Sequence, residues 1–179
     1  MLNRRDAIRG LTLTLAGTWA GLAYAAPAPL AWTPAALTPD QAQIVDVVAE
    51  LIMPATDTPG ARDAGVPQFI DRALADYCER SEAELLRAGL ARMDADARAA
   101  HRMRFVELAP AQQAALLTRY DGEAAAAGRP HFFGVLKSYV TVGYFTSQPG
   151  ATVALRYDPV PGDYRGCVPL SEIGRAWAT

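Results

Sequence analysis

The residues from His131 to Ser147 (HFFGVLKSYVTVGYFTS) constrain this chain more than any other stretch. Lys137 is their only formal charge, and apolar side chains point in all directions around a helical projection. A helix that is apolar all round belongs at the centre of a fold or beneath a partner. The spacing of Phe132, Leu136, Tyr139 and Val140 favours a helix over a strand. Lys137 and the interspersed Gly, Ser and Thr argue against a membrane span, which needs roughly 20 apolar residues.

The helices that would surround it announce themselves by their starts. Thr38-Pro39-Asp40-Gln41 combines an N-cap, a proline at the tolerated first position and a capping-box glutamine. Behind it Ile44, Val45, Val48, Leu51 and Ile52 recur at three and four, and Pro54 ends the run. A second helix opens at Val66-Pro67-Gln68, with Phe69, Ile70, Ala73, Leu74 and Tyr77 at helical spacing. A third is expected to start with a capping box at Ser81-Glu82-Ala83-Glu84 and to run to about Met103. Its apolar stripe of Leu86, Leu90 and Met93 is narrow, which places it on the surface. A fourth begins at Pro110, buries Leu116, Leu117 and Tyr120, and stops at Gly128, a residue suited to the C′ position.

Between the first two helices, residues 53–67 (MPATDTPGARDAGVP) hold three prolines and two glycines, which predicts a shaped loop. Asp57, Thr58 and Asp63 carry oxygens of the kind a cation takes, but their spacing is not that of an EF-hand. Turn capping is their expected role. After Gln148 the period vanishes among Pro149, Pro159, Pro161 and Pro169. The tail still holds Val153, Tyr157, Val160, Tyr164, Ile173 and Trp177, content that disordered tails lack. It must rest on its own domain or on another protein, and its Tyr, Trp and Arg side chains suit an interface. The expected fold is all-α. A small helical domain of about five helices (residues 26–147) is followed by a long irregular Pro/Gly/aromatic C-terminal tail (residues 148–179).

The first 25 residues read as an address rather than as fold. Arg4-Arg5 precedes a Gly/Thr-diluted apolar run from Gly10 to Leu22, and Ala23-Tyr24-Ala25 supplies small residues for a signal peptidase. The arginine pair and the weak hydrophobicity point to the twin-arginine route, which carries folded proteins to the periplasm. The whole chain has a formal charge of −2, and losing Arg4, Arg5, Arg9 and Asp6 makes the remainder more acidic. With no basic run to offset it, nucleic acid is not an expected partner. Cys78 and Cys167 would reach an oxidising compartment, where a disulfide is permitted. Only one intramolecular pairing exists, and sequence alone leaves open whether the two meet.

The search for chemistry returns little. The 2 His, His101 and His131, have no metal-ligand spacing, and no C-x-x-C-H, G-x-S-x-G or G-x-G-x-x-G occurs. No residue is assigned a catalytic, metal-binding or cofactor-binding role.

Three blocks carry a resemblance: MPATDTPGARDAGVPQFID, LKSYVTVGYFTS and YDPVPGDYRGCVPLSEIGRAW. In this order and spacing the chain resembles the gluconate 2-dehydrogenase subunit 3 family over most of residues 38–178. The resemblance implies a small, exported, non-catalytic partner of a flavin-dependent sugar or polyol dehydrogenase of the glucose-methanol-choline oxidoreductase type. It places FAD on that large subunit and haem on a separate c-type cytochrome. It also implies that the small subunit escorts the folded large one through the twin-arginine translocase. On this reading the partner is expected to contact Thr58, Pro59 and Gly60 of the loop, with Tyr157, Pro161, Gly162, Tyr164, Arg165 and Trp177 of the tail. The reading from another class is a stand-alone periplasmic small-ligand-binding protein or enzyme using the Thr56-Asp57-Thr58 loop and Cys167.

Overall fold

Thr38 begins the first helix, α1 (Pro39–Ile52), as a full capping box. Its hydroxyl accepts from the Gln41 N–H at 3.3 Å, and Gln41 Oε1 accepts from the Thr38 N–H at 3.1 Å. The structure is a computed structural model and describes residues 29–160, 162–163 and 165–178. The signal residues Arg4, Arg5, Ala23 and Ala25, and Pro161 and Tyr164 of the tail, lie outside the described residues.

α2 (Val66–Asp76) starts behind Gly65, whose φ of 72° is a left-handed value that glycine adopts without strain. α3 (Arg80–His101) corrects the expected capping box. It begins at Arg80 without a side-chain cap, so Ser81 lies inside the first turn, and Glu84 pairs with Arg80 at 2.9 Å. A 3₁₀ turn (Phe105–Glu107) leads to α4 (Pro110–Ala126), and Gly128 follows that helix at φ 59°. α5 (Phe132–Phe145) is capped by His131, whose Nδ1 accepts from the Phe133 N–H at 3.3 Å.

α5 is central, as its composition predicts: it packs against α1, α2, α3 and α4 and against the turn that follows it. It is not enclosed all round, however. Gly134, Ser138, Thr141 and Val142 are exposed, as is Lys137, which pairs with Asp121 at 2.7 Å. α3 keeps its charges off the core, several of them half-buried, and lays Leu86, Leu90 and Met93 on it, with Gly89 at its crossing with α5. A methyl group on Gly89 would overlap the Phe132 ring, so this crossing requires glycine.

At the other side of the core Tyr120 is fully buried, edge-on to Phe132 at 5.2 Å between ring centroids. Its hydroxyl donates to Asp96 Oδ2 at 2.7 Å, and the Arg92 and Arg119 guanidinium groups lie 5.2 and 4.8 Å from the ring centroid. Burial first, and the hydrogen bond to Asp96 second, push the Tyr120 pKa upward. A pKa raised on folding contributes stability that is whole below the unfolded value of about 10 and is lost as pH climbs towards the folded one. The melting temperature is therefore expected to fall above pH about 10, and to fall less steeply in Tyr120→Phe. Parallel curves for the two proteins would contradict this.

Before α1 the chain is extended and held by Asp71 of α2, which is only 4% exposed. Its carboxylate accepts from the N–H groups of Ala35, Ala36 and Leu37 at 2.7, 3.0 and 2.9 Å. Leu30 and Trp32 of this segment pack against the core. Among the described residues no helix is long and apolar enough to cross a membrane.

The tail is more regular than its prolines and glycines suggest. A π-helical turn (Gly150–Ala154) packs on α5, and a one-turn helix, α6 (Leu170–Ile173), follows later. An isolated parallel bridge then closes the tail on itself: Arg156 N donates to Ala176 O, and Ala178 N to Arg156 O, both at 2.8 Å. The Arg156 guanidinium lies 4.2 Å from the Trp177 ring centroid. The one disulfide that sequence left open is not made. Cys78 Sγ is 2.7 Å from the Tyr139 hydroxyl, while Cys167 is exposed in the self-closed tail, and both are free.

Candidate functional site

The loop of residues 53–67 is built around one carboxylate. Glu50 Oε1 accepts from the Ala55 N–H at 3.0 Å and Oε2 from the Arg62 N–H at 3.1 Å, so one side chain spans the loop. Gly60 is buried beneath it, and a methyl group there would overlap the Glu50 carboxylate. Gly60 is therefore a close-approach residue of the loop. The Thr56 hydroxyl donates to Asp57 Oδ1 at 3.0 Å within a turn in which Thr56 N donates to Thr58 O. Among the described residues no three His, Cys, Asp or Glu side chains are grouped to hold a metal ion.

Tyr144 at the end of α5 joins this loop to the tail. Its hydroxyl donates to Pro59 O at 2.8 Å and lies 3.3 Å from Thr58 Oγ1. Its carbonyl accepts from the Ser147 hydroxyl at 2.6 Å, and Ser147 Oγ in turn accepts from the Gly150 N–H at 3.1 Å. Thr58 and Pro59 are half-buried beside the root of the tail. Farther along, Tyr157 is 59% exposed, Val160 80% and Trp177 41%, and Gly162 and Arg165 are exposed as well. The structure thus brings Thr58 and Pro59 to the tail's root. It shows no hydrogen bond from them to Tyr157, Gly162, Arg165 or Trp177 among the described residues.

Sequence reasoning missed a groove of about 510 Å³ along the open flank of α5. Gly134, Val135, Ser138, Tyr139 and Val142 line it from α5, Glu82 from α3, and Arg129 and His131 from the α4–α5 connection. At one end the Tyr139 hydroxyl lies 2.7 Å from Cys78 Sγ and donates to Glu82 Oε2 at 3.3 Å. Burial, then the hydrogen bond to Cys78 and the neighbouring Glu82 charge, push the Tyr139 pKa upward. Its signal in the sequence was the pair Gly134 and Ser138, four residues apart in an otherwise bulky helix.

Both histidines are engaged in structural contacts. His131 caps α5, and His101 Nδ1 is 3.2 Å from Gln112 Nε2. The sequence profile of the family described as Gluconate 2-dehydrogenase subunit 3 matches residues 39–162. The chain belongs to the gluconate 2-dehydrogenase subunit 3 family. It is thereby placed among the accessory subunits of dehydrogenases. The matched region runs from α1 through the root of the tail and takes in Thr58, Pro59, Tyr144 and Tyr157. It stops at Gly162, so Arg165, Cys167 and Trp177 of the third sequence block lie beyond it. No curated protein and no solved structure matches the chain significantly.

Proposed function

We propose that this member of the gluconate 2-dehydrogenase subunit 3 family is the non-catalytic small subunit of a periplasmic FAD-dependent sugar or polyol dehydrogenase. The catalytic subunit is of the glucose-methanol-choline type. The small subunit carries it, folded and flavin-loaded, through the twin-arginine route and stabilises it afterwards. FAD resides on the catalytic subunit and haem on a separate c-type cytochrome. The observation that carries this reading is the family match over a helical bundle whose histidines are both held in structural contacts. The exposed Tyr157, Val160 and Trp177 support a partner, because aromatic and aliphatic side chains gathered on one tail mark interfaces.

Co-expression with the cognate dehydrogenase subunit tests the proposal. The two chains are expected to co-purify, and deleting residues 1–25 is expected to keep both in the cytoplasm. Independent purification, or export unchanged by the deletion, would overturn it. The stand-alone alternative finds a ligand-sized space in the α5 groove of about 510 Å³. Equilibrium dialysis of the mature chain against glucose and gluconate separates the two readings, since the accessory subunit is expected to retain neither.

A further inference from the structure

We infer that Tyr144 is a positioning residue that joins the 53–67 loop and the tail into one contact unit for the catalytic subunit. The inference rests on the reading of the chain as an accessory subunit. It adds how two segments far apart in sequence are presented together. Tyr144 is 2% exposed, so it acts on a partner only through the groups it holds. Its hydroxyl serves the loop and its carbonyl serves the tail. The hydroxyl donates to Pro59 O at 2.8 Å and lies 3.3 Å from Thr58 Oγ1. Within the loop, Ala61 N donates to Met53 O at 2.9 Å and Arg62 N to the Glu50 carboxylate at 3.1 Å. Tyr144 ties this braced loop to the end of the central helix.

From the carbonyl a continuous run of hydrogen bonds leads into the tail. Tyr144 O accepts from the Ser147 hydroxyl at 2.6 Å, and Ser147 Oγ accepts from Gly150 N at 3.1 Å. Gly150 O accepts from Leu155 N at 2.9 Å, and the next residue, Arg156, pairs with Ala176 and Ala178. Arg175 adds a second tie by donating to Val153 O. The joint itself leaves no room for a side chain, since a methyl group on Gly150 would overlap Tyr144 O. Pro59 and the exposed Tyr157 and Trp177 therefore hang on one hydrogen-bonded framework without bonding to one another. A partner that grips the tail meets a loop whose place beside the tail's root is set beforehand. Such prior ordering lowers the cost of association.

The test follows amide exchange on the full-length chain and its affinity by titration into the cognate catalytic subunit. Tyr144→Phe removes the hydroxyl and keeps the ring that packs edge-on to Phe145 at 5.2 Å. Ser147→Ala, at a half-buried position, breaks the run on the tail side. Tyr144→Phe is expected to speed exchange about fivefold at Ala61 and Arg62, and also at Gly150 and Leu155, which the hydroxyl does not touch. Ser147→Ala is expected to act in the reverse direction, reaching Ala61 and Arg62 from the tail. Each variant should raise the dissociation constant about fivefold, with helix content unchanged by circular dichroism. A merely structural role confines the faster exchange to the loop in Tyr144→Phe and to the tail's root in Ser147→Ala. That result overturns the inference. Wild-type affinity in both variants also overturns it and leaves the accessory reading standing. A wild-type chain that never binds the catalytic subunit removes both.

Discussion

Replacing Asp71 by alanine is expected to destabilise the fold by about 2–4 kcal/mol, because three backbone N–H groups lose their only acceptor. The carboxylate is buried and receives the N–H groups of Ala35, Ala36 and Leu37, residues more than thirty positions away in the chain. Hydrogen bonds to a charged acceptor contribute roughly 1.5–3 kcal/mol each, and an unsatisfied buried donor costs about as much. The loss falls short of three such terms because the freed segment can turn its N–H groups to water. Leaving has its own cost, since Leu37 is buried and Leu30 and Trp32 pack on the core. Asp71→Asn should fall between the two proteins, because an amide offers one acceptor oxygen and turns its NH₂ towards other donors. Urea unfolding measures the effect, and a change below about 0.5 kcal/mol in Asp71→Ala would refute the clamp. This clamp ties the segment that carries Leu30 and Trp32 to α2.

What the sequence made legible was local. The Thr38–Gln41 box, Pro110 and Gly128 act through backbone geometry within a few residues, and α1 and α4 begin and end where those residues place them. The composition of α5 forecast its central position for the same reason, since a helix with one charge has few other places to go. The Ser81 box failed because α3 already starts at Arg80, two residues before the Glu82 start that a Ser81 N-cap would give. The contact that requires glycine at position 60 comes from Glu50 of the preceding helix, a pairing that the loop's own composition does not encode. The Asp71 clamp and the Arg156–Trp177 bridge join residues far apart in sequence, and no periodicity encodes such pairings. Gly134 and Ser138 were weighed as residues that dilute hydrophobicity. Their shared row on an open flank becomes visible only once the other helices have taken the remaining faces of α5.

Ending the chain after Leu155 is expected to abolish binding to the catalytic subunit while leaving the bundle folded. Every member of the buried cluster lies between Leu37 and Tyr144, so the core keeps its apolar contacts. Cutting after Leu155 and not after Gln148 also retains Gly150, which is buried against Tyr144, and Ala154, which packs on the core. Helix content and melting temperature should therefore stay close to those of the full chain. What disappears is the self-closed segment in which the Arg156 backbone bonds to Ala176 and Ala178, with the Trp177 ring beneath its guanidinium. That closure holds the exposed Tyr157 and Trp177 side chains on an already ordered segment, and prior ordering lowers the entropic cost of association. Tyr157→Ala and Trp177→Ala should each weaken the complex by about 1–2 kcal/mol, the range in which aromatic interface residues begin to act as hot spots. Loss of the complex in the truncated chain, with Tyr157→Ala and Trp177→Ala each partly impaired, makes the tail the principal anchor. Undiminished binding by the truncated chain would move the anchor to the helical bundle.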